Sequence, residues 1–110
     1  MDKEQIIEKA RTLIPILCEH IKLERLVLFG SQLNGTPHEY SDIDLAIVAK
    51  DLPKGILDDN VREALYKMHK IDWRFEPHFF RIEKWNTAEG GSFINHVKKT
   101  GKVIYSNGLQ

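Results

Sequence analysis

A chain of 110 residues with 42% hydrophobic and 29% charged side chains is sized for a single domain, 1–110, with a core of its own. Sixteen Lys and Arg balance sixteen Asp and Glu, so no net basic field draws the protein onto nucleic acid, which argues against a template-directed polymerase. The lone Cys18 excludes an internal disulfide and a cysteine-rich zinc site and fits a reducing cytoplasm, no apolar run reaches the length of a membrane span, and the start Met1-Asp2-Lys3-Glu4-Gln5 is charged rather than signal-like.

From about Lys3 to Ile21 the apolar residues Ile6, Ile7, Ala10, Leu13, Ile14, Leu17 and Ile21 form a helical stripe, which Pro15 should kink or divide. Leu26-Val27-Leu28-Phe29 has the length of a buried strand, and Gly30-Ser31 ends it in a turn. Glycine there lets the backbone approach a phosphate, and the Ser31 hydroxyl can donate to a phosphate oxygen. Gln32 to Ser41 reads as a loop through Gly35 and Pro37. In the strand-like run Asp42-Ile43-Asp44-Leu45-Ala46-Ile47-Val48, alternation turns Asp42 and Asp44 to one face and Ile43, Leu45 and Ile47 to the core. Adjacent carboxylates repel, and magnesium is the usual compensating charge where phosphate is the other ligand.

Asp51 to Gly55, with Pro53, is a second loop, and Asp58-Asp59-Asn60 caps a helix whose apolar positions are Val61, Ala64, Leu65 and Met68. Its length suits a crossover. The run Ile71-Asp72-Trp73-Arg74-Phe75-Glu76 alternates as a strand, with Ile71, Trp73 and Phe75 on the apolar face and Asp72, Arg74 and Glu76 on the other. Pro77 ends that strand or confines it to an edge. Phe79 to Trp85 fits no single period. After the turn Gly90-Gly91, Ser92 caps a short helix through Phe93, Ile94 and Val97, Gly101 stops it, and Val103-Ile104-Tyr105 forms a last strand. The predicted class is α/β (α+β): a small mixed sheet flanked by helices in the order α-β-β-α-β-α-β. The histidines His20, His38, His69, His78 and His96 lack a metal-binding spacing and are expected at the surface or in packing.

Asp-x-Asp is common on solvent-facing strands and Gly-Ser before a loop is ordinary, but the two together at this spacing are far rarer. Gly30-Ser31, ten residues, then Asp42-Ile43-Asp44 resembles the signature of the minimal nucleotidyltransferases of the DNA polymerase β superfamily. The resemblance is strongest from Leu26 to Val48 and extends from Ile71 to Tyr105. It implies a polymerase β-type fold that holds two magnesium ions and transfers a nucleotide from ATP. Gly30 and Ser31 would bind the β- and γ-phosphates, Asp42 and Asp44 the metals, and a third carboxylate would complete the second metal site. The stretch Ile71 to Arg74 is similar to the segment that carries the third aspartate, pointing to Asp72, with Glu76 as the rival on the same face. Arg74 would steady phosphate charge or pair with Glu76 or Asp72.

Minimal members of the family resemble the antitoxin halves of two-gene pairs, in which the transferase adenylylates a tyrosine of a helical HEPN toxin. The resemblance therefore implies a cytoplasmic protein adenylyltransferase with a HEPN partner and no direct nucleic-acid or membrane contact. Two alternatives stay open: a catalytically silent module that neutralises a HEPN protein by contact, and a small-molecule transferase that builds its acceptor pocket as a homodimer. One departure is visible, because Gln32, Leu33 and Asn34 stand where many relatives carry an arginine or lysine.

Overall fold

The computed structural model describes residues 2–30, 42–52 and 54–108. The expected N-terminal helix is divided. Helix α1 (Lys3–Arg11) opens with a capping box, in which the Asp2 carboxylate accepts from the Gln5 amide and the Gln5 side chain accepts from Asp2 N–H. The break falls at Thr12, and Pro15 becomes the third residue of α2 (Leu13–His20), a first-turn position where its missing N–H costs no helical bond.

Strand β1 (Lys22–Phe29) pairs antiparallel with β2 (Ile43–Lys50), placing Phe29 opposite Asp44. A short 3-10 turn, Gly55–Leu57, leads to α3 (Asp59–Ile71), capped by the Asp58 carboxylate on the Asn60 amide. That helix is the crossover that lets β3 (Phe75–Arg81) run parallel to β2. Two further helices, α4 (Ile82–Asn86) and α5 (Phe93–Thr100), precede β4 (Lys102–Ser106), which pairs antiparallel with β1. The four-stranded mixed sheet has the order β3-β2-β1-β4. Pro77 thus sits within an edge strand, where a missing ladder donor is tolerated.

Helices cover both faces of β1 and β2. Leu26, Leu28, Ile43, Leu45 and Ile47 pack against Ile6, Ala10, Leu13 and Leu17 of the N-terminal helices and Ala64 and Met68 of α3. On the opposite face Val27, Phe29, Ala46 and Val48 meet Ile82, Trp85 and Val97 of α4 and α5. Each fully buried aliphatic side chain is worth roughly 1.5–3 kcal/mol, so the two central strands read as nearly continuous hydrophobic runs. Asp44 interrupts that run at the open end of the sheet, on the α4/α5 face.

One predicted strand is corrected. Ile71 is the last residue of α3, Asp72 is its C-cap, and β3 begins only at Phe75. Trp73, expected on a buried face, is 64% exposed, because residues 72–74 turn the chain from helix to strand instead of extending the sheet.

Candidate active site

At the open end of the sheet the backbone of Gly30 adopts φ +87°, a left-handed conformation suited to glycine. Asp44, paired across from Phe29, lays its carboxylate against that glycine: a Cβ on Gly30 would overlap Oδ2 and lie 3.1 Å from Cγ. The turn and the aspartate are therefore built as one unit. Ser31 lies outside the described residues.

The parallel register sets Glu76 beside Asp44. The Glu76 and Asp42 carboxyl groups are within hydrogen-bonding reach of each other, and that contact, with the negative charges of Asp42 and Asp44, raises the Glu76 pKa above its ordinary value. Two residues further along the same face of β3, His78 donates from Nε2 to Oδ1 of Asp44 at 3.2 Å. Ligand atoms of Asp44, Glu76 and His78 all lie within 4.8 Å of one another, so this end of β2 and β3 gathers one concentrated set of metal-ligating side chains. A site rich in carboxylate oxygens suits magnesium, whereas His78 is engaged as a donor to Asp44 and orients it.

Asp72 is placed elsewhere. Its buried carboxylate accepts from the Arg74 backbone amide at 2.9 Å, from Arg74 Nε at 3.0 Å and Nη2 at 2.7 Å, and from Lys9 Nζ of α1 at 3.1 Å. The Arg74 hydrogen bonds hold its pKa far below the usual carboxylate range, outweighing the opposing effect of burial. This is a pinned junction between the first helix, the end of α3 and the start of β3, and its oxygens are already occupied. The structure brings Asp42, Asp44 and Glu76 together, whereas the Asp72 carboxylate is engaged by Arg74 and Lys9. Arg74 forms an ion pair with Asp72 at 2.7 Å.

His78 was not expected at the site. Its signal was present, since Glu76 and His78 are two apart on a strand and share a face, but a search by metal-binding spacing alone passes over it.

The fold, a mixed sheet with a glycine turn after its first strand and acidic residues on its second and third, is that of the polymerase β-type nucleotidyltransferases. The family model described as Polymerase beta, Nucleotidyltransferase matches residues 11–108, and the chain belongs to that family. It is 46% identical over 48 residues to a candidate protein adenylyltransferase of Methanocaldococcus jannaschii, a match covering 38% of this chain and 33% of that relative. The chain thus spans about a third of that curated relative's length. Among solved structures it is similar to a toxin–antitoxin complex with AMP-PNP, at 27% identity and TM-score 0.57, covering 90% of this chain and 73% of the other. A Shewanella oneidensis complex of a tri-AMPylated HEPN toxin with an MNT antitoxin shares the fold at 22% identity and TM-score 0.53, covering 90% of this chain and 71% of that one. No helix among the described residues is long and apolar enough to cross a membrane.

Proposed function

We propose that the protein is a magnesium-dependent adenylyltransferase that moves AMP from ATP to a tyrosine hydroxyl of a HEPN-type toxin partner, and so acts as an antitoxin. The observation that carries this reading is the convergence of Asp42, Asp44 and Glu76 beside the Gly30 turn. Support for a protein acceptor comes from the candidate protein adenylyltransferase, and for the toxin–antitoxin setting from the complex with AMP-PNP.

In this reading Asp42 and Asp44 hold metal at the end of β2, and Glu76 on the neighbouring edge strand takes the place of the third carboxylate. Magnesium bound there supplies charge neutralisation of the triphosphate and activation of the acceptor hydroxyl. The Gly30 backbone, with Ser31, cradles the outer phosphates. His78 fixes the Asp44 carboxylate in the orientation the site needs. The acceptor oxygen forms its bond to the α-phosphorus as the bond to the β-phosphate oxygen breaks, pyrophosphate leaves, and the hydroxyl proton passes to a neighbouring carboxylate. Because β3 is the sheet edge, an acceptor on another protein reaches Glu76 from open solvent.

The test is intact-mass measurement of a HEPN partner mixed with this protein, magnesium and ATP. Additions of whole AMP units, absent with Asp44→Asn, support the reading. A stable complex whose partner mass never changes with any nucleoside triphosphate would leave neutralisation by contact as the better account.

A further inference from the structure

A nucleotide in this site must put its base somewhere within one ribose of the α-phosphate, and one surface there is aromatic. Phe93 is the first residue of α5 and is 50% exposed, although its ring is anchored underneath. It meets Phe29 at 5.7 Å between ring centroids in an edge-on arrangement, His78 at 6.1 Å and Phe80 at 6.2 Å. Two of those neighbours belong to the acidic site: Phe29 immediately precedes Gly30 and pairs with Asp44, and His78 donates to Asp44. The backbone beneath the ring is fixed as well. Ser92 Oγ accepts from the Asn95 amide at 3.1 Å, and Asn95 Nδ2 donates to the Ala88 carbonyl at 3.2 Å.

Resting on the nucleotidyltransferase reading above, we infer that Phe93 is the stacking platform for the nucleobase of the bound nucleoside triphosphate. A half-exposed aromatic ring at a polar site retains apolar surface for a partner, and the flat face of a base fits it. Phe93 leans on Phe29, the residue that leads into the glycine turn receiving the triphosphate, and on His78 and Phe80 of the edge strand, so the ring lies along the same face as the Asp44 and Glu76 carboxylates. Its contact with Phe29 ties it to the triphosphate end of the site, which favours the base over the acceptor. Stacking without base-edge hydrogen bonds discriminates weakly among bases, so purine nucleotides should bind somewhat better than pyrimidines, whose smaller rings cover less of the platform.

The experiment measures binding of magnesium-ATP and of magnesium-tripolyphosphate to wild type, Phe93→Ala, Phe93→Leu, Phe93→Tyr and Asp44→Asn by calorimetry, with thermal melts to confirm folding. Phe93→Ala should weaken ATP binding by about 5- to 150-fold, from the typical value of a base-aromatic stack, and leave tripolyphosphate binding unchanged. Phe93→Leu should share that loss, since it restores bulk without a π face, and Phe93→Tyr should bind ATP like wild type. ATP affinity unchanged in Phe93→Ala overturns the platform. Equal loss of ATP and tripolyphosphate binding in Phe93→Ala also overturns it, by showing a packing role. If wild type binds neither ligand, or Asp44→Asn binds both as well as wild type does, the nucleotidyltransferase reading itself fails and takes the platform with it.

Discussion

Gly30 and Asp44 share one space: the glycine lacks a side chain where the aspartate carboxylate lies. Gly30→Ala should therefore fail on two counts. Its Cβ displaces Asp44, and an alanine at φ +87° carries left-handed strain of about 1–2 kcal/mol. Denaturant melts should show that stability loss, and AMP transfer should fall further than stability explains because the carboxylate is misplaced. A Gly30→Ala protein with wild-type turnover would show that the contact has no bearing on the site.

Glu76 and Asp72 provide the sharpest comparison. Removing an outer-shell partner of a metal site costs about 10–100-fold, so Glu76→Gln, which neutralises a proposed ligand, should lose at least about 100-fold in transfer. Its fold should survive, because Glu76 is exposed. Asp72→Asn should do the opposite, lowering stability by about 2 kcal/mol as Lys9 and Arg74 lose their charged acceptor, while the correctly folded fraction keeps its activity. Turnover per folded molecule, measured beside urea midpoints, decides between them.

Why the sequence favours Asp72 over Glu76 is a matter of overlapping periods. Ile71, Trp73 and Phe75 alternate as a strand does, yet Ile71 also continues the helical series Val61, Ala64, Leu65 and Met68 of α3. Local pattern cannot choose between the two. The decision is made at long range, where Lys9, 63 residues earlier, and Arg74 close on the Asp72 carboxylate and cap the helix end. In contrast, Asp42 and Asp44 stand in an unambiguous run, since Ile43, Leu45 and Ile47 can only be the inward face of a strand, and Gly30 ends another such run. The crossover through α3 was readable from its length, whereas the Asp44–Glu76 pairing required the register of β3, which the early end of the predicted strand obscured.

The Asp72 junction also fixes a pH dependence. Its folded pKa lies below the unfolded value of about 3.9, so its stabilisation is complete above that value and is lost as pH falls toward the folded pKa. The stability difference between wild type and Asp72→Asn should accordingly be constant from neutral pH down to about 5 and shrink below about 4. Urea unfolding of both proteins across pH 3–7, an approximate window set by the carboxylate range, measures it. A gap that stays constant to the acid limit would mean that the carboxylate is not acting through its charge.

The last prediction concerns the cation. Asp42, Asp44 and Glu76 crowd negative charge at the end of β2 and β3, and the raised pKa of Glu76 records that crowding. The sign follows directly. A carboxylate with a raised folded pKa favours the folded state when protonated, so this contribution is fully present below the unfolded pKa and is lost as pH rises through the folded value. Above it, the metal-free protein carries unrelieved repulsion, which bound magnesium should relieve. Magnesium with ATP should therefore raise Tm more at pH 7.5 than at pH 5, since binding competes with the proton on Glu76, and chelation by EDTA should abolish the gain. With ligand at about 100 times Kd the stabilisation is about 2.7 kcal/mol, well within the reach of a thermal melt. Glu76→Gln should flatten the pH dependence and weaken the response to magnesium, because it removes both the repulsion and the proton. ATP that stabilises equally in magnesium and in EDTA would mean that the carboxylates do not hold a metal, and the adenylyltransferase reading would then lose its chemical basis.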